Sequence, residues 1–317
     1  MRIAYLYEGS EAKYFQQLHP LFSGHALAAT PIPLGISKFQ LVASMKKGQI
    51  DICFFSSVKI LTLLLSNSSK FNPNKEDSYQ AYWGCNWQVG STIFQCMPSL
   101  DSLYTRSYGE FLFKHYIDKL IKPNYLITAP ALNWELVNAE KTVGIAAKIL
   151  KEFEGATLTA IDIETKPVRV TEEFAKTPMA FGMVAKHLTS RKTDPVEYLM
   201  QVITCVGFCG LFKDADGNVT SRAVVIPYEG EENYKLIKAL CATSTPKVLQ
   251  NGKYDIIHLT TNNIAIENYR FDTYGMMHSW YAELPRTLDF ISSFTLKNSM
   301  YWKDESSKDL YGYNAKD

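Results

Sequence analysis

The chain has 317 residues, which is long for one domain and favours two. Its 46% hydrophobic and 13% aromatic residues can build sizeable cores, while 33 basic and 32 acidic residues leave a formal charge of +1. This balance excludes a uniformly basic nucleic-acid clamp, although it allows a local basic groove. The six cysteines lack zinc-ribbon spacing, so we expect buried thiols and no disulfides.

The sequence shows neither a signal peptide nor a membrane span. Met1–Tyr7 is typical of a first strand, and the longest apolar run, Ile60–Leu65, is far too short to cross a bilayer. We therefore expect a soluble, cytoplasmic protein with no membrane partner.

Residues 1–134 alternate between predicted strands and helices. The predicted elements are the strand Arg2–Tyr7, the helices Glu11–Leu18 and Phe39–Lys47, the strand Gln49–Phe55, a helix through Leu65 capped by Ser56 and Ser57, the strand pair Asn86–Gly90 and Thr92–Met97, and the helix Tyr108–Ile121. This alternation predicts a smaller Rossmann-like α/β domain of uncertain role. It contains no glycine-rich phosphate loop, so nothing supports a nucleotide cofactor.

Residues 135–155 are interpreted as a connector and a helix, and residues 156–317 as the second domain. Its predicted elements are the strand Ala156–Glu164, an insertion over Thr165–Asp194, the strands Gln201–Phe212 and Thr220–Pro227, the helix Glu231–Ala242, the strand Lys247–Gln250, the helix Asn251–Asn263, the strand Tyr269–Asp272, and helices over Thr273–Glu283, Thr287–Leu296 and Asp309–Asp317. This order predicts an RNase H-like α/β fold, a mixed sheet with flanking helices.

Two carboxylates lie two residues apart in Thr159-Ala-Ile-Asp-Ile-Glu-Thr165, where an apolar run ends. Residues i and i+2 of a strand point to the same face, so Asp162 and Glu164 should project side by side. Adjacent carboxylates repel each other unless a cation lies between them, and their hard oxygens suit Mg²⁺ or Mn²⁺. A solvated strand end explains the same pair of carboxylates. A metal site is therefore predicted only if further acids lie close to them.

Further acids follow later elements of the predicted sheet. Asp255 comes after a short buried strand, near the first turn of a helix that Asn251 is predicted to cap, and active sites of open α/β sheets gather at such strand ends. Tyr313 and Asp317 lie four residues apart, which gives them a common face on a helix. Asp272 lies at a strand-to-helix turn, where capping or hydrogen-bond support is the favoured interpretation.

Four motifs occur in a recognisable order. They are Asp162-Ile-Glu164-Thr, Asn251-Gly-Lys-Tyr-Asp255, Asp272-Thr273 and Tyr313-Asn-Ala-Lys-Asp317. This order resembles the three exonuclease motifs of the DnaQ-like (DEDD) superfamily, and the tyrosine in the last motif marks the DEDDy branch. With Tyr301-Trp-Lys-Asp-Glu305 before the last motif, the detail is similar to the 3′–5′ proofreading exonuclease domain of phage-type family A DNA polymerases. The resemblance covers about residues 150–317.

The resemblance implies hydrolysis of the terminal phosphodiester at the 3′ end of single-stranded DNA with two Mg²⁺ or Mn²⁺ ions. The implied metal ligands are Asp162, Glu164, Asp255 and Asp317. Tyr313 is implied to orient the attacking water, because a phenol with a pKa near ~10 is a poor base at neutral pH. The expected substrate contacts are Thr165 and Asn251, and the candidate base-stacking rings are Tyr254, Phe290 and Trp302.

The same resemblance implies a C-terminal polymerase domain as the partner beyond Asp317, so residues 1–317 would form a truncated proofreading portion. Terminal turns fray, so we expect Asp317 to be held poorly and cleavage by residues 1–317 to be slow or absent. If the protein comes from a phage, it would act in the host cytoplasm.

Part of the first domain resembles the second half of a family-4-type uracil-DNA glycosylase. The residues that carry this resemblance are Phe54-Phe-Ser-Ser57, Gly84, Thr92-Ile-Phe-Gln-Cys-Met-Pro-Ser99 and Asp118-Lys-Leu. The expected glycine-rich catalytic segment is absent, and Met97-Pro-Ser stands where that family has His-Pro-Ser. The resemblance therefore implies a degenerate, non-catalytic domain.

Other functions fit the same acids. An RNase D-like or oligoribonuclease-like exoribonuclease would use the same four carboxylates on RNA. A catalytically inactive DNA-binding or docking module would carry them without metal. A DDE-type recombinase fits poorly, since the Tyr-x-x-x-Asp spacing has no role there.

Overall fold

The computed structural model describes residues 1–14, 19–22, 27–31, 36–65, 71–74, 76–137, 139–176, 184–187, 197–299, 308–309 and 312–313. The strands are β1 (Ile3–Tyr7), β2 (Leu27–Pro31), β3 (Ile52–Phe55), β4 (Asn86–Val89), β5 (Thr92–Cys96), β6 (Leu132–Leu136), β7 (Leu158–Val170), β8 (Val184–His187), β9 (Glu197–Lys213), β10 (Val219–Pro227), β11 (Lys247–Leu249), β12 (Tyr269–Asp272), β13 (Lys308–Asp309) and β14 (Gly312–Tyr313). The α-helices are α1 (Lys38–Gly48), α2 (Val58–Leu64), α3 (Glu76–Gln80), α4 (Ser102–Thr105), α5 (Gly109–Ile121), α6 (Ala139–Glu154), α7 (Glu172–Ala175), α8 (Glu231–Cys241), α9 (Lys253–Thr261), α10 (Thr273–Trp280) and α11 (Leu288–Thr295).

The chain divides into two compact units, of which the first consists of Met1–Ala129 and Tyr281–Glu305. Its sheet has the order β2-β1-β3-β5-β4, in which the first four strands are parallel and β4 is antiparallel to β5. Every residue of β1 and β3 is buried, as is typical of a parallel sheet with both faces covered. The predicted Rossmann-like α/β architecture is confirmed.

Local sequence signals begin the helices of this unit. Ser37 and Gln40 form a capping box at the start of α1, each side chain accepting a hydrogen bond from the other residue's amide. Ser57 accepts a hydrogen bond from the Ile60 amide and caps α2, as predicted.

Buried polar contacts tie the second segment of this unit to the first. Lys119 on α5 is fully buried, and its ammonium group donates to the carbonyls of Gly84 and Ser293 at 2.7 Å and to the Ser299 hydroxyl at 3.1 Å. Both serines come from the segment that carries α11. This segment therefore supplies part of the interior of the first unit.

The second unit consists of Pro130–Trp280 and Ser306–Asp317. Its main sheet has the order β12-β11-β7-β9-β10-β6, and β8 pairs with β9. β9 is antiparallel to both β7 and β10, whereas β11 is parallel to β7 and to β12. The predicted RNase H-like α/β fold is confirmed by this mixed sheet with its long β7-β9-β10 meander.

The core of the second unit lies against one face of this sheet. Ile161 and Ile163 of β7 join Val206, Phe208, Val224 and Ile226 of the neighbouring strands in one buried cluster with residues of α6 and α8. Because side chains alternate along a strand, burying this set leaves the intervening positions of β7 on the opposite face.

The unit boundaries differ from the predicted division into residues 1–134, 135–155 and 156–317. Residues 281–305 belong to the first unit, and both β6 and α6 belong to the second. Such assignments depend on contacts between residues far apart in the chain, which local patterns do not contain.

Three element predictions were wrong. β6 begins in the predicted first domain and continues into the predicted connector, where no strand was expected, and it is an edge strand parallel to β10. β7 continues to Val170 along β9, so the start of the predicted insertion is strand. The predicted helix over residues 309–317 is replaced, where the structure describes it, by β13 and β14, which pair antiparallel. Glycine and tyrosine at 312 and 313 favour extended pairing over helix.

Within the described ranges, no helix is long and apolar enough to cross a membrane.

Candidate functional site

The centre of the site is the middle of β7. Ile161 and Ile163 are buried, whereas Asp162 is exposed and Glu164 is half-buried. Both carboxylates therefore leave the strand on the face opposite the core. This arrangement follows from the period-2 alternation of the sequence.

Asp255 reaches this strand because β11 is short. β11 pairs with β7 only at Thr159 and Ala160, so this ladder stops before it reaches the Ile163 amide further along β7. The chain turns after β11 into α9, and the Asp255 carboxylate in its first turn accepts a hydrogen bond from the Ile163 amide at 3.0 Å. A side chain thus takes the place of the missing ladder bond, between the two acids of β7.

The electrostatics show that the three acids share one environment. Asp255 is only 4% exposed. Burial, followed by the charge of Asp162, raises the pKa of Asp255 to about 7, and Glu164 acts in the same direction. The hydrogen bond from Ile163 opposes this shift. Desolvation also raises the pKa of Asp162, because protein groups around its carboxylate displace part of the surrounding water. The residue is nevertheless exposed to solvent.

A tight turn positions α9 relative to the sheet. Asn251 adopts a left-handed conformation with φ of 53°. A Cβ atom at Gly252 would lie 2.7 Å from Leu249 Cβ, so glycine is required there. Asp272 accepts hydrogen bonds from the amides of Asn251 at 3.0 Å and Gly252 at 2.8 Å, and from the Tyr269 hydroxyl at 2.9 Å. The predicted supporting role of Asp272 is confirmed.

Asn251 does not cap α9 as predicted, because Gly252 stands at the N-cap position. The Asn251 side chain is exposed beside the site. Its proposed contact with substrate stays a prediction.

One face of the site carries an aromatic ring. The hydroxyls of Thr165 and Tyr254 are hydrogen-bonded at 2.7 Å, and Tyr254 is 42% exposed. Of the other candidate stacking rings, Phe290 is buried in the first unit and Trp302 lies outside the described residues. Among the candidates that the structure describes, Tyr254 is therefore the ring that is free to stack.

No motif in the sequence pointed to His258. It is 1% exposed on α9, and its ring centroid lies 4.4 Å from that of Tyr254. Neither ring nitrogen has a hydrogen-bond partner among the described residues. Burial lowers the pKa of His258, and its ring packs against the ring of Tyr254. The i, i+4 spacing of the two residues was the signal for this contact.

The last motif is described only in part. Cα atoms of β14, which contains Tyr313, lie within 8 Å of Cα atoms of β7. This brings the backbone of the last motif next to the strand that carries the first. Asp317 lies outside the described residues.

The donor chemistry of the site suits a hard divalent cation, since the charges of Asp162 and Glu164 raise the pKa of Asp255 in the absence of positive charge. In the described part of the chain, however, no three His, Cys, Asp or Glu side chains are close enough together to hold a metal ion. One Asp255 oxygen is already occupied by the Ile163 amide. A complete site therefore requires a further ligand or a movement of these side chains.

In the first unit, the glycosylase-like stretches meet at the carboxyl ends of the parallel strands. Ser56 follows β3 and Ser99 follows β5, and both line a cavity of about 610 Å³. Glu11 in this cavity accepts hydrogen bonds from the Ser56 hydroxyl at 2.9 Å and the Leu100 amide at 2.8 Å. Burial raises the pKa of Glu11.

Two other residues of that resemblance have structural roles. Gly84 has φ of 75°, and a Cβ atom there would lie 2.3 Å from the ring of Tyr116. Asp118 pairs with Lys122 one helical turn later, at 2.8 Å. Packing and helix pairing therefore explain these two positions without catalysis.

No protein-family model and no curated protein matches the chain. Among solved structures, a chain described as the "apo form of the nuclease" aligns with 56% of this chain and 67% of its own length, at 15% sequence identity and a TM-score of 0.32. A similarity at this TM-score says nothing about function.

Proposed function

We propose that the second unit is a metal-dependent 3′–5′ exonuclease that hydrolyses terminal phosphodiesters of single-stranded DNA, as the proofreading portion of a family A DNA polymerase. The observation that carries the proposal is the position of Asp255. Its carboxylate accepts a hydrogen bond from the Ile163 amide of β7, between Asp162 and Glu164, whose charges both raise its pKa. Such a concentration of carboxylates at the mouth of an open α/β sheet is suited to bind cations and phosphate together.

In this proposal Asp162, Glu164, Asp255 and Asp317 hold two Mg²⁺ or Mn²⁺ ions. When bound, the ions lower the pKa of the attacking water and stabilise the leaving 3′-oxygen. Tyr313 orients the water by hydrogen bonding, since its phenol is a poor base at neutral pH. Thr165 and Asn251 contact the last nucleotides.

The exposed ring of Tyr254 gives the terminal base a stacking surface next to the carboxylates. Its hydroxyl is fixed by Thr165 and its ring is supported by His258. Stacking is tolerant of base identity, so cleavage should be nearly independent of sequence.

The test is Mg²⁺-dependent shortening of a 5′-labelled single strand. The wild-type chain should shorten it slowly and stepwise from the 3′ end, because Asp317 is expected to be held poorly, and the double variant Asp162→Ala/Glu164→Ala should not shorten it at all. Asp216→Ala, in the exposed β9–β10 turn, is the matched control that also removes an acid from this unit. Equal activity of the double variant and the control would refute the assignment.

Two further measurements separate the alternatives. An RNA oligomer of the same sequence distinguishes an exoribonuclease, because the 2′-OH is the consistent difference between the substrates. Calorimetry with Mn²⁺ distinguishes a non-enzymatic module, which should show no binding of two ions.

A further inference from the structure

The sheet of the second unit ends at β6, and among the described residues no strand lies on its outer side. β6 is parallel to β10, with Leu132 opposite Ser221 and Leu136 opposite Val225. The Val137 amide donates to the Val225 carbonyl at 2.9 Å, so the backbone groups of Val137 point toward β10. Since these groups alternate along a strand, Leu132, Trp134 and Leu136 direct theirs outward.

The outer edge of β6 exposes apolar side chains, whereas most exposed edge strands carry features that prevent pairing with another chain. Natural sheets blunt an exposed edge with lysine, proline, a bulge or a cover. Here Leu132 is 62% exposed and Trp134 is 64% exposed. An open row of hydrogen-bonding groups next to an exposed tryptophan is typical of a surface to which another chain adds a strand.

The groove next to β6 has a defined charge. It has a volume of about 880 Å³ and lies between Trp134 and α6. The two carboxylates that line it, Glu135 and Glu152, are both engaged by Arg222, at 2.5 Å and 3.8 Å. Lys148 and Lys151 line the same groove and have no carboxylate partner among the described residues. The charges in this groove that can still attract a ligand are therefore the positive charges of Lys148 and Lys151.

We propose that β6 and this groove form a docking site for an extended, acidic segment of a partner protein. The segment pairs with the outer edge of β6, places an apolar side chain on Trp134, and directs carboxylates to Lys148 and Lys151. The unpaired backbone edge favours a polypeptide over a nucleic acid, which has no groups that continue a β-ladder.

The experiment measures binding of a fluorescein-labelled peptide of alternating valine and aspartate to the full 317-residue chain. Wild type should bind it, and a peptide with lysine in place of aspartate should bind at least about tenfold more weakly. Trp134→Lys should weaken binding of the acidic peptide by about tenfold or more, because it removes the apolar anchor. Lys148→Glu/Lys151→Glu should do the same through charge reversal.

Val219→Lys is the matched control, because Val219 is an exposed apolar residue of β10 in the same unit and should leave binding unchanged. Hydrogen exchange gives a second readout. With peptide bound, the amides of Trp134 and Leu136 should exchange more slowly, because they become ladder donors, whereas the Val137 amide is already bonded.

Failure of the acidic peptide to bind, or equal binding by Trp134→Lys, would overturn the proposal. So would a labelled oligothymidine that binds through Trp134 and the two lysines, or self-association of the chain that Trp134→Lys abolishes. None of these outcomes depends on nuclease activity, so the proposal stands or falls apart from the function proposed for the carboxylates.

Discussion

The carboxylate of Asp255 accepts a hydrogen bond from the amide of Ile163 at 3.0 Å, although the two residues lie 92 positions apart in the chain. Ile163 separates Asp162 from Glu164, so this one bond fixes a third acid beside the other two. The bond exists because β11 pairs with only two residues of β7, so this ladder stops before it reaches the Ile163 amide.

The first prediction separates the structural role of Asp255 from its charge. Asp255→Ala leaves the buried Ile163 amide without an acceptor and should lower the free energy of unfolding by about 1–3 kcal/mol. Asp255→Asn keeps an acceptor oxygen and should unfold close to wild type. Both variants should lose Mg²⁺-dependent cleavage by at least about 100-fold, since metal-assisted charge stabilisation is worth several kcal/mol. Urea unfolding and single-strand cleavage check the two parts, and full activity of Asp255→Asn would contradict the role of the charge.

The second prediction concerns the cation. Binding of Mg²⁺ to the folded state alone should raise the free energy of unfolding by about 2.7 kcal/mol at 100 times the dissociation constant. Urea unfolding with and without Mg²⁺ measures the increase. Asp162→Ala/Glu164→Ala should show none of it, and Asp216→Ala should show all of it. An equal increase in the double variant would place the cation elsewhere.

The third prediction concerns Tyr254. Tyr254→Ala should weaken the binding of a short oligothymidine by about 1–3 kcal/mol, the usual loss for one base-stacking ring. Tyr254→Phe keeps the ring, loses only the hydrogen bond to Thr165, and should bind close to wild type. Fluorescence anisotropy with EDTA present measures affinity without cleavage. If the alanine variant binds like wild type, the ring does not contact the strand.

The fourth prediction is a pH dependence in the first unit. His115 is 6% exposed, stacks on Phe294 with ring centroids 3.9 Å apart, and its Nε2 lies 2.7 Å from the Phe294 carbonyl. Burial lowers its pKa from 6.5 to about 4. Between these two values the unfolded chain binds a proton that the folded chain does not, so stability falls as the pH is lowered from 6.5 to about 4. The loss should reach about 3 kcal/mol and should not grow further below the lower value.

His115→Gln tests this prediction, because glutamine can keep a hydrogen bond to Phe294 and does not titrate. The difference in unfolding free energy between wild type and variant should change across this window and be flat above it. Taking the difference removes the contribution of Asp255, whose raised pKa acts with the opposite sign in an overlapping range. A difference that is constant with pH would show that His115 is not the titrating group.

Local pattern was sufficient for much of the fold. The alternation around Asp162 and Glu164 predicted that both carboxylates lie on one face of a strand, and Ile161 and Ile163 are buried on the other. The caps, turns and apolar periods predicted the element order that builds the RNase H-like sheet. These features are set by residues a few positions apart, for which backbone geometry fixes the relation between neighbours.

Pairing between distant segments decided the rest. The sequence did not indicate that β6 would extend the sheet or that residues 281–305 would join the first unit. It predicted hydrogen-bond support by Asp272, but not that this support would go to the amides of Asn251 and Gly252 in the turn before α9. Nor did it indicate that Asp255 would bond to β7 itself. That contact depends on where β11 stops pairing, and the end of a ladder is set by packing over the whole sheet. The sequence by itself supplied the acids of the candidate site, and the tertiary structure brought Asp255 between two of them.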